Sequence, residues 1–266
     1  GTSLALMKKL MYAQIFYNSC ACGFESGLYW SGKYTEDGSR QLSPIGRIHK
    51  GAVDWCAKYG DPGIMHTPVA VMTDFYAGWC FPRHLYTSRS YQVWGALPYD
   101  EGDYLTDGVL DMIYPGYYEA SYFKDERGFN VDTPYGDIAD CILADAPVWV
   151  LKQYPVIVLT GKLRYSEELR DNLLEYVRAG GELCITQGNA KTLFRNGFAG
   201  IDLGMGRVTQ IPGGDWGIEE TAQCPLPVVN KPMVPFSRPY PLTAAARKTL
   251  DAVFRRQIAF STSETP

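Results

Sequence analysis

The stretch from Tyr154 to Gln187 constrains this chain more than any other. Pro155-Val156-Ile157-Val158-Leu159 is an unbroken apolar run of strand length, and Ser166 then stands where a helix N-cap is expected. Glu167 and Glu168 in the first turn suit the positive end of the helix dipole, and Leu169, Leu173, Leu174 and Val177 recur at helical spacing. Gly180-Gly181 ends that helix, and Glu182 to Gln187 is the next strand. Two strands joined by a single helix run parallel, because the crossover returns the chain to the edge where it began. The chain is therefore expected to be α/β, with a parallel sheet and right-handed crossovers.

The same alternation extends outward from this unit. Pro68 to Phe75 reads as a buried strand ending at an acidic residue, a helix is expected near Tyr104 to Ile113, and Ile138 to Leu143 reads as a strand. A helix is expected near Ala146 to Gln153, and Gly204 to Ile211 reads as a strand after a tight turn. Between them, Tyr76 to Asp137 is rich in Gly, Pro, Tyr and Asp, and an ordered excursion of that length is usually functional. Prolines 225, 227, 232, 235, 239 and 241 imply an extended segment, followed by a helix from Thr243 to Phe260. Toward the amino terminus, Leu4 to Tyr17 has a helical pattern, Ser19 to Glu25 reads as a short buried strand, and Gly27 to Gln41 as a long polar loop. Ser43-Pro44 opens a further helix, Ile45, Ile48, Ala52, Trp55, Cys56 and Tyr59 form its stripe, and Gly60 stops it. Asp61-Pro62-Gly63 is a turn suited to a domain boundary. Three regions follow from this reading: 1–62, 63–215 and 216–266.

Composition narrows the function classes. A chain of 266 residues that is 46% hydrophobic can bury a substantial core, while a net charge of −4 gives no cationic surplus for phosphates or anionic headgroups. Neither nucleic acid nor membrane is an expected partner, and no apolar run approaches the roughly 20 residues of a spanning helix. Seven cysteines sit mostly in apolar segments and read as buried free thiols; Cys20-Ala21-Cys22 has CxC spacing, and with only His49, His66 and His84 no zinc cluster is expected. Nineteen tyrosines and six tryptophans, several in loops beside Asp or Gly, suit the apolar faces of sugars as well as a protein core. Gly1-Thr2-Ser3 lacks an initiator Met and the layout of a signal peptide, so upstream sequence is expected. The compartment stays open between the cytoplasm and secretion with a leader outside these residues.

The run Tyr154 to Leu159, with Ser166-Glu167-Glu168-Leu169 and Leu174-Glu175-Tyr176-Val177-Arg178-Ala179-Gly180-Gly181-Glu182-Leu183, resembles a unit of the amidotransferase-like domain in family 42 β-galactosidases of glycoside hydrolase clan A. Pro68 to Asp74 resembles that domain's opening strand. The resemblance covers residues 4 to 210, and YV-x-x-GG also occurs in other α/β domains. It implies the last part of a (β/α)8 barrel in residues 1–62, followed by a flavodoxin/amidotransferase-like domain. Leu4 to Tyr17 would be the seventh barrel helix, Ser19 to Glu25 the eighth strand and Pro44 to Tyr59 the eighth helix. It also implies a retaining mechanism on β-galactoside-like or related polysaccharides, no organic cofactor, and a homo-oligomer assembled through the second domain. The two catalytic carboxylates of such enzymes, about 5–5.5 Å apart, would then lie upstream of Gly1.

Glu25 is the chain's candidate catalytic carboxylate, at a strand's carboxyl end where barrel enzymes place their chemistry. Three readings stay open: a sugar-binding carboxylate on strand eight, the nucleophile if its strand is the seventh and Pro68 to Asp74 is the eighth, or a solvated acid without a role. Tyr29 and Trp30 are candidates for stacking on a sugar ring, and Asp74, Tyr76, Trp79 and His84 follow the second unit's opening strand, where open sheets bind ligands. Packing in a loop or at a domain interface accounts for these residues equally well. Asp100, Glu101 and Asp103 offer a cation or sugar site without calcium-loop spacing. A nucleophilic cysteine would need a sharp strand-to-helix elbow, and neither Cys184 nor Cys80 has one. Phe75 to Trp79 is too bulky for a phosphate loop, and Gly204-Met205-Gly206 is a lone GxG, so the second unit reads as non-catalytic. The rival to an enzyme fragment is an assembly or sugar-binding module.

Overall fold

The computed structural model describes residues 3–17, 29–75, 100–115, 133–195, 197–219 and 241–259. The chain divides into two compact units, one of residues 1–66 with 120–131 and one of residues 67–119 with 132–266.

The first unit holds helix α1 (Leu4–Phe16), strands β1 (Trp30–Tyr34) and β2 (Arg40–Leu42), and helix α2 (Pro44–Tyr59). Ser3 caps α1 by accepting from the Leu6 N–H at 3.2 Å. Ser43 caps α2 through the Gly46 N–H at 2.9 Å, with Pro44 preset for the first turn. The helices pack through Met11, Ile15 and Ala52, and along one side the Phe16 ring meets Trp55 edge-on with centroids 5.3 Å apart while Trp55 and Tyr59 lie tilted at 5.2 Å. The expected polar loop of 27–41 is, in its described part, an antiparallel hairpin pairing Trp30 with Leu42 and Tyr34 with Arg40. Its turn is closed by the Thr35 N–H on the Ser39 carbonyl at 2.8 Å and by the Ser39 N–H on Asp37 at 2.9 Å. All five β1 residues are exposed, so no burial alternation marked them as a strand.

The second unit is α/β. Its elements are β3 (Val69–Thr73), α3 (Glu101–Ile113), β4 (Ala139–Leu143), α4 (Val148–Leu151), β5 (Val156–Leu159), α5 (Glu167–Arg178), β6 (Glu182–Thr186), α6 (Gln187–Phe194), β7 (Arg207–Ile211) and α7 (Ala244–Ala259). Five strands form one parallel sheet in the order β4-β3-β5-β6-β7. Alternate residues feed the two faces. Val69, Val71, Val156 and Val158 pack on one face with α3 residues such as Leu105 and α7 residues such as Phe254. Ala70, Met72, Ile157 and Leu159 pack on the other with Leu173 and Tyr176 of α5 and Leu193 of α6. Helix α7 therefore completes one of the sheet's cores, its Leu250 and Phe254 being fully buried.

Two helices depart from expectation. The one expected near 146–153 shrinks to the single turn of α4, started by Pro147 without a side-chain cap. Helix α6 was not expected at all: it begins directly at the end of β6, with Thr186 capping it and Gly188 inside its first turn. The expectation of buried thiols also needs correction. Cys184 is buried in β6, but Cys56 lies exposed on α2 and Cys141 exposed on β4, the edge strand of the sheet among the described residues; all three described cysteines are free. Among the described residues, no helix is long and apolar enough to cross a membrane.

Candidate functional site

In an open parallel sheet the ligand crevice lies beyond the carboxyl ends of the strands, where the strand order reverses. Here that point falls between β3 and β5, because the chain steps from β3 outward to β4 and returns on the other side to β5. Asp74 follows β3, Thr160 to Lys162 follow β5, and the first turn of α3 sits against them. A β-carbon on Gly102 would lie 2.3 Å from the Lys162 backbone nitrogen and 2.5 Å from the Gly161 carbonyl carbon, so only glycine permits this approach.

The polar groups at this crevice serve the backbone. Asp74 is 6% exposed and accepts the Arg164 N–H at 2.9 Å, which fixes the loop after β5. Asn189, fully buried, is a bracket between strand ends: its Nδ2 donates to the Gly161 carbonyl at 2.9 Å and its Oδ1 accepts the Leu163 N–H at 3.1 Å. Truncating it strands both groups away from water. Asn189→Ala is expected to cost about 2–3 kcal/mol, read as a lower urea midpoint with unchanged slope.

Asp100, Glu101 and Asp103, a possible cation or sugar site by sequence, are occupied otherwise. Asp100 Oδ1 accepts the Asp103 N–H at 3.1 Å and Asp103 Oδ2 accepts the Asp100 N–H at 2.9 Å, a reciprocal capping box. Glu101 pairs with Lys162, whose ammonium also lies 5.4 Å from the centroid of the Trp216 ring. Burial raises the Asp103 carboxyl to about 6, against the lowering effect of its backbone bond to Asp100. These acidic groups at the α3 amino terminus disfavour an anion there. No described cysteine stands at a strand-to-helix junction, and burial pushes the Cys184 thiol up, away from the thiolate form. Among the described residues, no three His, Cys, Asp or Glu side chains gather as a metal site.

The first unit offers a different arrangement. Tyr29 and Trp30 line a groove of ≈ 550 Å³ together with Arg40, Leu42, His49 and Lys50. The Tyr29 carbonyl accepts the Ser43 N–H at 2.8 Å, which ties the start of the hairpin to the α2 cap. The Tyr29 and His49 rings meet at 4.8 Å, and the Arg40 guanidinium lies 5.9 Å from the centroid of Trp30, whose side is half exposed. Lys50 is paired with Asp54 at 2.6 Å. The sequence marked the two aromatic residues but not Arg40, His49 or Lys50. The Asp37-Gly38 dipeptide between Tyr34 and Arg40 is a hairpin signal, but it does not fix the register that sets Arg40 diagonally across from Trp30.

Of the remaining candidates, Glu25, Tyr76, Trp79 and His84 lie outside the described residues. The nucleophile reading of Glu25 requires residues 68–74 to be the last barrel strand. That requirement fails, because β3 is an inner strand of the open sheet, paired with β4 on one side and β5 on the other.

The YV-x-x-GG-x-L run proves to be architecture. The Tyr176 hydroxyl lies 3.1 Å from both the Pro155 and the Glu182 carbonyl oxygens, and a β-carbon on Gly181 would overlap the Tyr176 ring at 2.2 Å. The motif thus locks α5 onto the amino ends of β5 and β6, at the end of the strands opposite the crevice. No protein-family model and no curated protein sequence matches the chain.

Proposed function

We propose that the chain is the carboxyl-terminal part of a barrel-type glycoside hydrolase that acts on β-galactoside-like or related polysaccharides with retention. In this reading residues 1–62 contribute the end of the barrel, and the catalytic carboxylate pair belongs to sequence upstream of Gly1. Glu25 serves as a sugar-binding carboxylate on the last barrel strand. The amidotransferase-like unit performs no chemistry and mediates homo-oligomer assembly.

The observation that carries the non-catalytic role is the state of the crevice between β3 and β5. Asp74, Asn189, Asp100 and Asp103 are engaged in holding the loops and the α3 cap, and α3 is pressed onto the loop after β5. A reactive site needs a nucleophile and a base held toward substrate. The hydrolase assignment itself rests on the resemblance. The second reading, a sugar-binding module without hydrolysis, is favoured by the aromatic groove at Tyr29 and Trp30.

Hydrolysis of aryl β-galactosides by this chain and by the product of its complete reading frame separates the two. The expected result is no turnover by the chain and turnover by the complete product, reduced on the order of 10–100-fold in kcat/KM by Glu25→Gln through lost transition-state hydrogen bonds. Turnover by the chain alone would place the catalytic pair within it. A complete product without activity on any aryl glycoside would leave the binding module.

A further inference from the structure

The groove of the first unit has a charge character that its aromatic residues alone do not predict. Arg40 and Lys50 line it, and none of the described lining residues is acidic. The two cations differ. Lys50 is neutralised one helical turn away by Asp54, with its Nζ 2.6 and 2.8 Å from the two carboxylate oxygens. Arg40 has no carboxylate partner among the described residues; its guanidinium lies 5.9 Å from the Trp30 ring centroid. A guanidinium held against an indole keeps its N–H edge available for a planar, two-oxygen acceptor. The hairpin register sets Leu42 opposite Trp30 and Arg40 opposite Tyr34, so Arg40 reaches the Trp30 ring diagonally across the two strands, and the turn bonds through Ser39 and Asp37 hold that register.

A volume of ≈ 550 Å³ falls within the range of small-molecule sites and accommodates one or two sugar rings. Its walls supply an indole and a phenol for the apolar face of a pyranose, and an arginine for an anionic substituent. We propose that this groove binds an acidic saccharide, a pyranose carrying a carboxylate, with the ring against Trp30 and Tyr29 and the carboxylate on Arg40. This inference does not rest on the hydrolase reading, since binding is measured without turnover and on the chain itself.

Calorimetric titration of the 266-residue chain with digalacturonate and diglucuronate, and with the neutral galactose and glucose disaccharides, tests it. The acidic member of a pair is expected to bind roughly tenfold tighter or more, with a shift of the Trp30 indole N–H resonance. Arg40→Gln should bring the acidic sugar down to the neutral one's affinity, and Arg40→Lys should keep part of the preference because a point charge replaces the fork. Trp30→Ala should weaken both members by roughly tenfold, as loss of a stacking ring does. Lys33→Gln removes an exposed cation of the same hairpin outside the groove lining and should change nothing. Circular dichroism of each variant confirms the fold. Equal affinity for acidic and neutral sugars, a preference that survives Arg40→Gln, a loss produced equally by Lys33→Gln, or an unmoved Trp30 resonance would each overturn the assignment.

Discussion

Replacing Arg207 and Arg256 together by methionine is expected to destabilise the second unit by about 3–5 kcal/mol at neutral pH. The reason is Glu182, the first residue of β6, which is only 3% exposed. Arg256 on α7 donates to both its carboxylate oxygens at 2.8 and 3.0 Å, Arg207 on β7 reaches Oε2 at 2.8 Å, and Thr209 donates to Oε1 at 2.7 Å. Both arginines keep exposed surface, so removing Glu182 would leave cations that water can still reach. Removing the arginines instead leaves a buried carboxylate with a single hydroxyl, which is the costly direction. Substituting Glu182 by glutamine in that background should recover part of the loss, because the uncompensated charge is gone.

The same network fixes an acid dependence whose sign reverses in the variant. Burial pushes the Glu182 carboxyl up, but the bonds from Thr209, Arg256 and Arg207 outweigh it and hold the group below its ordinary 4.5. A carboxyl lowered on folding contributes stability that is fully present above its unfolded value and is lost as pH falls through the folded one. In the intact protein this contribution therefore fades below about pH 4.5. With both arginines gone, burial dominates and the folded value lies above the unfolded one. The penalty is then absent in acid and grows as pH rises through that interval. Urea midpoints of the two proteins should accordingly converge on acidification, and a gap constant with pH would rule out Glu182 as its source.

Strands β3, β5 and β6 and helix α5 were legible because burial on both faces leaves a continuous apolar run, and the α5 stripe recurs at the helical period. Ser43-Pro44 and Ser166 marked helix starts for the reason the structure shows, a side-chain oxygen accepting an orphan backbone N–H. Strands β1 and β2 were hidden because a solvated two-stranded hairpin buries almost nothing. Helix α6 was hidden because Thr186 ends a strand and caps a helix at once, leaving no linker to read. At the candidate sites the sequence named residue types but not partners. Asp100 and Asp103 looked like ligands, and the three-residue spacing that makes them a capping box carries the same letters. Tyr29 and Trp30 were visible, whereas Arg40 and His49 reach them only through the hairpin register and the α2 helix, which no local pattern encodes.

Gly206→Ala is expected to be the most damaging glycine-to-alanine substitution among the described residues, costing more than about 4 kcal/mol and abolishing soluble native protein at 37 °C. The residue immediately precedes β7, where the chain passes against the backbone at the end of α5. A β-carbon there would sit 1.9 Å from the Val177 carbonyl oxygen, 2.5 Å from the Gly181 carbonyl oxygen and 2.7 Å from the Val177 carbonyl carbon. All three are backbone atoms, so no rotamer change relieves the overlap. Relief requires β7 to move off, and the next residue holds it by donating the Arg207 N–H to the Gly181 carbonyl at 3.1 Å. Moving β7 would break its parallel register with β6 and separate Arg207 from Glu182, coupling this site to the buried network. Gly200→Ala is the matched control. Its φ of +80° penalises a side chain by about 1–2 kcal/mol, but nothing lies within 4 Å of the added carbon. Comparable yields and urea midpoints for the two variants would mean that β7 can shift away from α5 without loss of the sheet. The expected outcome is a modestly destabilised Gly200 variant and a Gly206 variant recovered only as aggregate.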